Sequence, residues 1–163
     1  MWAYFDTSAL VKRYVEEAGR REVLQLLRRH DCVTSAVLPV ELRSALRRRV
    51  SEGTLDADRV PDILKRVAAD RAYWTLVEVA NDVLAAAETL VATYPVRTLD
   101  AIHVASAQLF AARLTAPELI FVSADARQTE AAAAVGMMIR HSSRGSGGGG
   151  RSGPDPRVAE EFL

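Results

Sequence analysis

The sequence predicts an α/β protein in which helices cover both faces of a central parallel sheet, a three-layer α/β/α sandwich. Short apolar runs rich in aromatic and β-branched residues alternate along the chain with longer segments of helical period. Alternation of this kind builds parallel strands joined by crossover helices, which bury the sheet on both sides. The length, 163 residues, suits one domain with a sizeable core, and 49% hydrophobic with 26% charged residues is the balance of an ordered globular body.

The elements follow in order. Residues 2–5, Trp-Ala-Tyr-Phe, fit a buried strand, and Asp6-Thr7-Ser8 then offers a polar turn and a helix cap for residues 9–17. Gly19 interrupts the pattern. Residues 20–29 resume it with an apolar stripe of Val23, Leu24, Leu26 and Leu27, before Asp31 and a strand over residues 32–34. Ser35 is expected to cap the next helix, which turns Val37, Leu38, Leu42, Ala45 and Leu46 inward, and Pro39 requires its first turn to lie close by.

After Gly53 a long helical stretch runs towards Ala72, residues 74–79 read as a third strand, and the next helix ends before Pro95. Thr98 is expected to cap a helix reaching about Leu114. Residues 119–123 are the clearest strand, residues 126–135 an alanine-rich helix closed by Gly136, and residues 137–139 can form a fifth short strand. From residue 142 the composition shifts to Gly, Ser, Arg and Pro, which cannot bury enough apolar surface to offset ordering entropy. The expected organisation is a folded domain over residues 1–141 and a flexible tail over residues 142–163.

Composition also excludes function classes. The longest apolar runs, residues 83–87 and 131–135, fall far short of the ~20 residues of a spanning helix. The start is strand-like rather than a basic flank with a long apolar stretch, so no membrane association and a cytoplasmic location are expected. Cys32 is the single cysteine, which rules out an internal disulfide and suits a small core residue. The formal net charge is zero, so the molecule as a whole is no polyanion binder. Its bases are nearly all arginine, only Lys12 and Lys65 being lysine, and arginine favours bidentate contacts with carboxylate or phosphate. A GC-rich genome would produce the same bias.

Four acids stand in telling places. Asp6 follows the first strand directly and Asp125 lies two residues past the fourth, which puts both at the carboxyl edge of a parallel sheet, where ligands collect. Asp100 lies in the first turn of its helix, where the simpler reading is an acid favoured by the helix dipole. Glu41 shares the apolar face of its helix with Val37, Leu38 and Ala45, and a buried carboxylate needs a cation, a hydrogen-bond network or a metal. Gathered carboxylates repel one another unless something positive lies between them. Oxygen-only donors suit Mg²⁺ or Mn²⁺, and such a site hydrolyses phosphodiesters by activating water and stabilising charge on the attacked phosphate. Lys12, Arg13, Arg43 and Arg47 are the bases nearest in sequence to Asp6 and Glu41, hence the candidate phosphate contacts. The few aromatic residues are expected in the core.

Four segments carry a resemblance: Tyr4-Phe5-Asp6-Thr7-Ser8-Ala9-Leu10, Val40-Glu41-Leu42, Leu99-Asp100-Ala101-Ile102-His103-Val104-Ala105-Ser106-Ala107, and Phe121-Val122-Ser123-Ala124-Asp125. In order and rough spacing the chain resembles the PIN-domain family, especially its VapC-type toxins, over about residues 1–140. The resemblance implies a parallel sheet of strand order 3-2-1-4-5 and an endoribonuclease whose catalytic cluster is Asp6, Glu41, Asp100 and Asp125. It implies that Asp6, Asp100 and Asp125 help to hold Mg²⁺ or Mn²⁺, with Glu41 completing the cluster and orienting water. It further implies a homodimer, a cognate VapB-type antitoxin and structured RNA substrates such as tRNA or rRNA. Ser123 stands where a threonine is common. Thr7 and Ser8 read as capping and supporting groups, and His103, one turn after Asp100, as a structural or supporting histidine.

Three other readings compete. A phosphohydrolase with an aspartyl nucleophile wants a second aspartate two positions after the first, where Ser8 stands. A binding module of the same fold with lapsed activity would lack acids that are present here. A housekeeping RNA-processing nuclease shares the chemistry, and a neighbouring antitoxin gene would separate it from a toxin.

Overall fold

Trp2–Phe5 forms the central strand, β1, of a five-stranded, fully parallel sheet. The computed structural model describes residues 1–114 and 118–142. β2 is Asp31–Ser35, β3 Thr75–Val77, β4 Leu119–Ser123 and β5 Met138–His141, in the spatial order β3-β2-β1-β4-β5 that the resemblance implied. β1 pairs with β2 through Ala3 opposite Cys32, and with β4 through Phe5 opposite Val122. The β1 and β4 ends are therefore aligned.

Seven α-helices among the described residues flank this sheet: α1 Thr7–Leu10, α2 Arg20–Arg29, α3 Leu38–Ser51, α4 Val60–Asp70, α5 Asn81–Thr93, α6 Thr98–Ala112 and α7 Ala126–Ala134. The two-residue alternation of β1 sorts the core. Tyr4 faces one side and packs with Val33, Phe121, Leu90 and Val104, while Ala3 and Phe5 face the other with Leu10, Val23 and Val122. A third cluster, joining Val11 and Tyr14 to Leu42, Leu46, Ile63 and Val67, fastens α3 and α4 outside the sheet. Tyr4, Phe5, Tyr14 and Phe121 are buried as expected, whereas Tyr73 is exposed. Cys32 is buried too, and burial pushes its thiol up to about 12, which leaves it unreactive near neutral pH.

Several boundaries differ from the sequence reading. The helix expected over residues 9–17 stops after Leu10 and tightens into a 3-10 turn over Val11–Arg13, so that Val11 and Tyr14 reach the outer cluster. Its cap is Asp6, whose carboxylate accepts the Ala9 N–H at 2.9 Å, rather than a following hydroxyl. Ser35 ends β2 and α3 starts from Val37 without a side-chain cap, with Pro39 in its first turn. The long helix after Gly53 is divided, because Pro61 fixes the start of α4 and a 3-10 turn at Arg71–Tyr73 ends it. Thr98 is the first residue of α6, and Arg97 occupies the cap position. β3 is shorter than residues 74–79, and β5 lies one to two residues later than expected.

Ser142, first residue of the expected tail, is buried against the body. Its N–H donates to the Ser123 carbonyl at 2.8 Å, and its carbonyl accepts from Lys12 Nζ at 3.1 Å. Gly19 lies directly beneath it with φ +84°, a conformation that favours glycine. The remainder of the tail, residues 143–163, lies outside the described residues. No helix among the described residues is long and apolar enough to cross a membrane.

Candidate active site

A cavity of about 620 Å³ opens at the carboxyl edge of β1 and β4, and Asp6, Glu41, Asp100 and Asp125 all line it. The fold explains how residues so distant in sequence meet. Asp6 follows β1, Asp125 follows β4 and caps α7, Asp100 rides the first turn of α6, and Glu41 the first turn of α3. Parallel strands send the β-to-α junctions that carry Asp6, Glu41 and Asp125 to the same edge, and the turn from α5 into α6 brings Asp100 to it.

Asp6 is the most enclosed of the four, at 4% exposure. The Ser8 hydroxyl donates to its carboxylate at 2.8 and 2.9 Å, Ser123 Oγ donates at 3.1 Å, and the Ala9 N–H adds the third donor. Burial raises its carboxyl above the ordinary range, although His103 and these hydrogen bonds pull the other way. Ser8 also accepts the Ala124 N–H at 2.8 Å, which ties α1 to the turn that carries Asp125. Asp125 accepts the Arg127 N–H at 2.9 Å and donates its own N–H to Ser123 Oγ at 3.0 Å.

Asp100 is held loosely. Gln128 Nε2 lies 3.5 Å from its Oδ1, and its Oδ2 is buried without a hydrogen-bond partner among the described residues. Burial first, then the negative charge of Asp125, raises its carboxyl. Glu41 is shifted the opposite way. Burial alone would raise it, but hydrogen bonds from His103 at 2.6 Å and Thr7 at 2.8 Å, with the His103 charge, hold it below the usual glutamate range.

Whether these acids suit a divalent ion rests on two observations. Among the described residues, no three His, Cys, Asp or Glu side chains converge into a closed cage. Mg²⁺ does not require one, since it typically keeps several waters and takes one or two carboxylates plus substrate oxygens. The buried, partnerless Asp100 oxygen and two acids raised by burial are what an oxygen-donor cation would relieve. The donor set therefore fits a hydrated hard cation.

The bases divide differently from the sequence reading. Lys12 is buried, its ammonium donating to the carbonyls of Ala18 at 2.6 Å and Ser142 at 3.1 Å. Arg13 forms a bidentate pair with Asp70 at 2.6 and 2.8 Å. Both are structural. Arg43 and Arg47 are exposed and outside the cavity, because spacings of two and six residues from Glu41 turn them away from its face of α3. Arg48 and Arg49, seven and eight residues on, return to that face and line the cavity, as does Arg97 before α6. Arg49 is paired with Glu17 at 2.7 Å. Helical spacing from Glu41 carried that signal. Gln128, three residues after Asp125, escaped the sequence reading for the same reason: only a turn of α7 brings it into the cavity.

The PIN-domain family model matches residues 3–134 of the chain. No curated protein sequence matches it. Among solved structures, a toxin–antitoxin complex from Klebsiella pneumoniae is similar at 18% identity and a TM-score of 0.53, over 76% of this chain and 86% of that one. FitAcB from Neisseria gonorrhoeae is similar at 15% identity and 0.58, over 84% and 95%. VapBC2 from Rickettsia felis, bound to a DNA fragment from its promoter, is similar at 9% identity and 0.58, over 86% and 98%. At these identities the likeness is one of fold.

Proposed function

Because this chain belongs to the PIN-domain family, we propose that it is a metal-dependent endoribonuclease, the toxin of a toxin–antitoxin pair. The observation that carries the reading is that four carboxylates line one cavity, three from separate β-to-α junctions and Asp100 from the first turn of α6. In this reading Asp6, Asp100 and Asp125 hold Mg²⁺ or Mn²⁺, and Glu41 orients the attacking water. A bound divalent ion supplies charge stabilisation at the attacked phosphate and a more acidic water. The chain's own groups prepare the rest. Ser8, Ser123 and the Ala9 N–H keep Asp6 aimed into the site as a carboxylate. Arg97 and the exposed Arg48, both lining the cavity, bind the RNA backbone through phosphate contacts.

The partners in this reading are structured RNA of the tRNA or rRNA kind, a VapB-type antitoxin and a second copy of the chain, in the cytoplasm. Support for the antitoxin comes from the similar Klebsiella pneumoniae structure, which is itself a toxin–antitoxin complex. The test is incubation of the purified chain with total RNA in Mg²⁺, followed by mapping of new 5′ ends. A small set of discrete cuts, lost with EDTA and in Asp6→Asn, is the expected result. An unchanged RNA pool at any divalent concentration overturns the nuclease. Cutting without growth arrest on induced expression would instead point to a housekeeping enzyme.

A further inference from the structure

We propose that Tyr4 and His103 form a buried positioning relay for Glu41, fixing one of its oxygens so that the other is presented to the cavity. The inference rests on the nuclease reading above. Tyr4 Oη lies 2.8 Å from His103 Nδ1, and His103 Nε2 lies 2.6 Å from Glu41 Oε2. A carboxylate only accepts hydrogen bonds, so His103 Nε2 is the donor and carries a proton. The 2.8 Å hydrogen bond between Nδ1 and the Tyr4 hydroxyl then fixes the ring from its other side, Tyr4 donating when Nδ1 is bare and accepting when it is protonated.

Each link is held rigidly. Tyr4 is fully buried on β1, its ring stacked on Phe121 with centroids 5.4 Å apart and planes 7° apart. His103 is 1% exposed on α6 and meets the Tyr4 ring edge-on at 5.9 Å. The Thr7 hydroxyl donates to the same Glu41 oxygen at 2.8 Å. Oε2 thus takes two donors from two different elements, while Oε1 takes none among the described residues and belongs to a side chain lining the cavity. A free glutamate on a helix surface would sample several rotamers. This one is clamped on one side, which leaves a single oxygen at a defined place for a water proton.

A merely structural histidine would satisfy Tyr4 and the core without asking anything of Glu41. The relay demands more, and three measurements separate the two. Imidazole nitrogen shifts of the wild-type chain are expected to give His103 with Nε2 protonated; a bare Nε2 overturns the relay without need of any variant. Among variants shown folded by circular dichroism, His103→Ala is expected to lower kcat for RNA cleavage about 10- to 100-fold with KM little changed, as supporting-residue losses do. His103→Gln, whose amide can still donate to Glu41, should recover most of that loss. A folded His103→Ala with wild-type kcat, or no recovery in a folded His103→Gln, overturns the positioning role while leaving the nuclease in place. Undiminished cleavage in Asp6→Asn would bring down the nuclease reading, and the relay with it.

Discussion

The Ser123 hydroxyl donates to Asp6 Oδ2 across 3.1 Å while accepting the Asp125 N–H at 3.0 Å, so one small side chain at the end of β4 registers two of the four acids. Removing it leaves both acids without a common reference. Ser123→Ala is expected to lower RNA cleavage about 10-fold or more, and Ser123→Thr to keep it, because only the hydroxyl is used. Initial rates on one RNA substrate decide it.

Asp6→Asn should abolish cleavage and, in the metal-free protein, raise the melting temperature. The Asp6 carboxyl is raised by burial, so its ionised form burdens the fold at neutral pH, and that burden is relieved as pH falls through the raised value. A neutral isostere never carries it. A gain on the order of 1 kcal/mol, about 2–4 °C for a chain of this size, is expected at pH 7, with the difference narrowing in acid. Calorimetry at pH 7 and pH 4 in EDTA checks the sign.

Glu41 titrates with the opposite sense. Its folded-state value is depressed by His103 and Thr7 against the effect of burial, so the stabilisation is fully present above the ordinary glutamate range. It fades as pH falls through the depressed value. Glu41→Gln is therefore expected to melt lower than the wild type at pH 6, and the gap to close towards pH 3. A gap that widens in acid would contradict the hydrogen-bonded carboxylate.

Gly19→Ala should be strongly destabilising, by about 2 kcal/mol or more. A Cβ at this position, φ +84°, would stand 1.5 Å from the Ser142 carbonyl oxygen, a backbone atom that Lys12 also holds. Denaturant melts of the two proteins suffice. Gly136→Ala has the same left-handed backbone but open space around it, and serves as the comparison for strain alone.

What could be read from residues alone followed the strength of the local signal. Strands β1 and β4 are short, apolar and bounded by polar turns, so their ends, and with them Asp6 and Asp125, were placeable. Glu41 was legible because an acid on an apolar helix face is unusual, whereas Asp100, an ordinary first-turn acid by itself, was legible through the segment 99–107 that carries the family resemblance. The bases were misassigned for a geometric reason. Nearness in sequence selected Lys12 and Arg13, but a 3-10 turn carries Lys12 under Ser142 and Arg13 onto Asp70, contacts 130 and 57 residues away that no local pattern encodes. Helix caps failed similarly, since Ser35 and Thr98 are cap formers whose positions tertiary packing moved by a residue or two. The Tyr4–His103–Glu41 chain joins three elements across 99 and 62 residues and needed coordinates.

The acids are expected to act together on one hard cation, and Mn²⁺ binding followed by electron paramagnetic resonance tests this without any RNA. The wild type should take up Mn²⁺ saturably, Mg²⁺ should displace it, and Asp6→Asn or Asp100→Asn should each weaken uptake at least about 10-fold. Equal, saturable binding by the wild type and both variants would mean that the ion sits elsewhere and that these carboxylates do not share it.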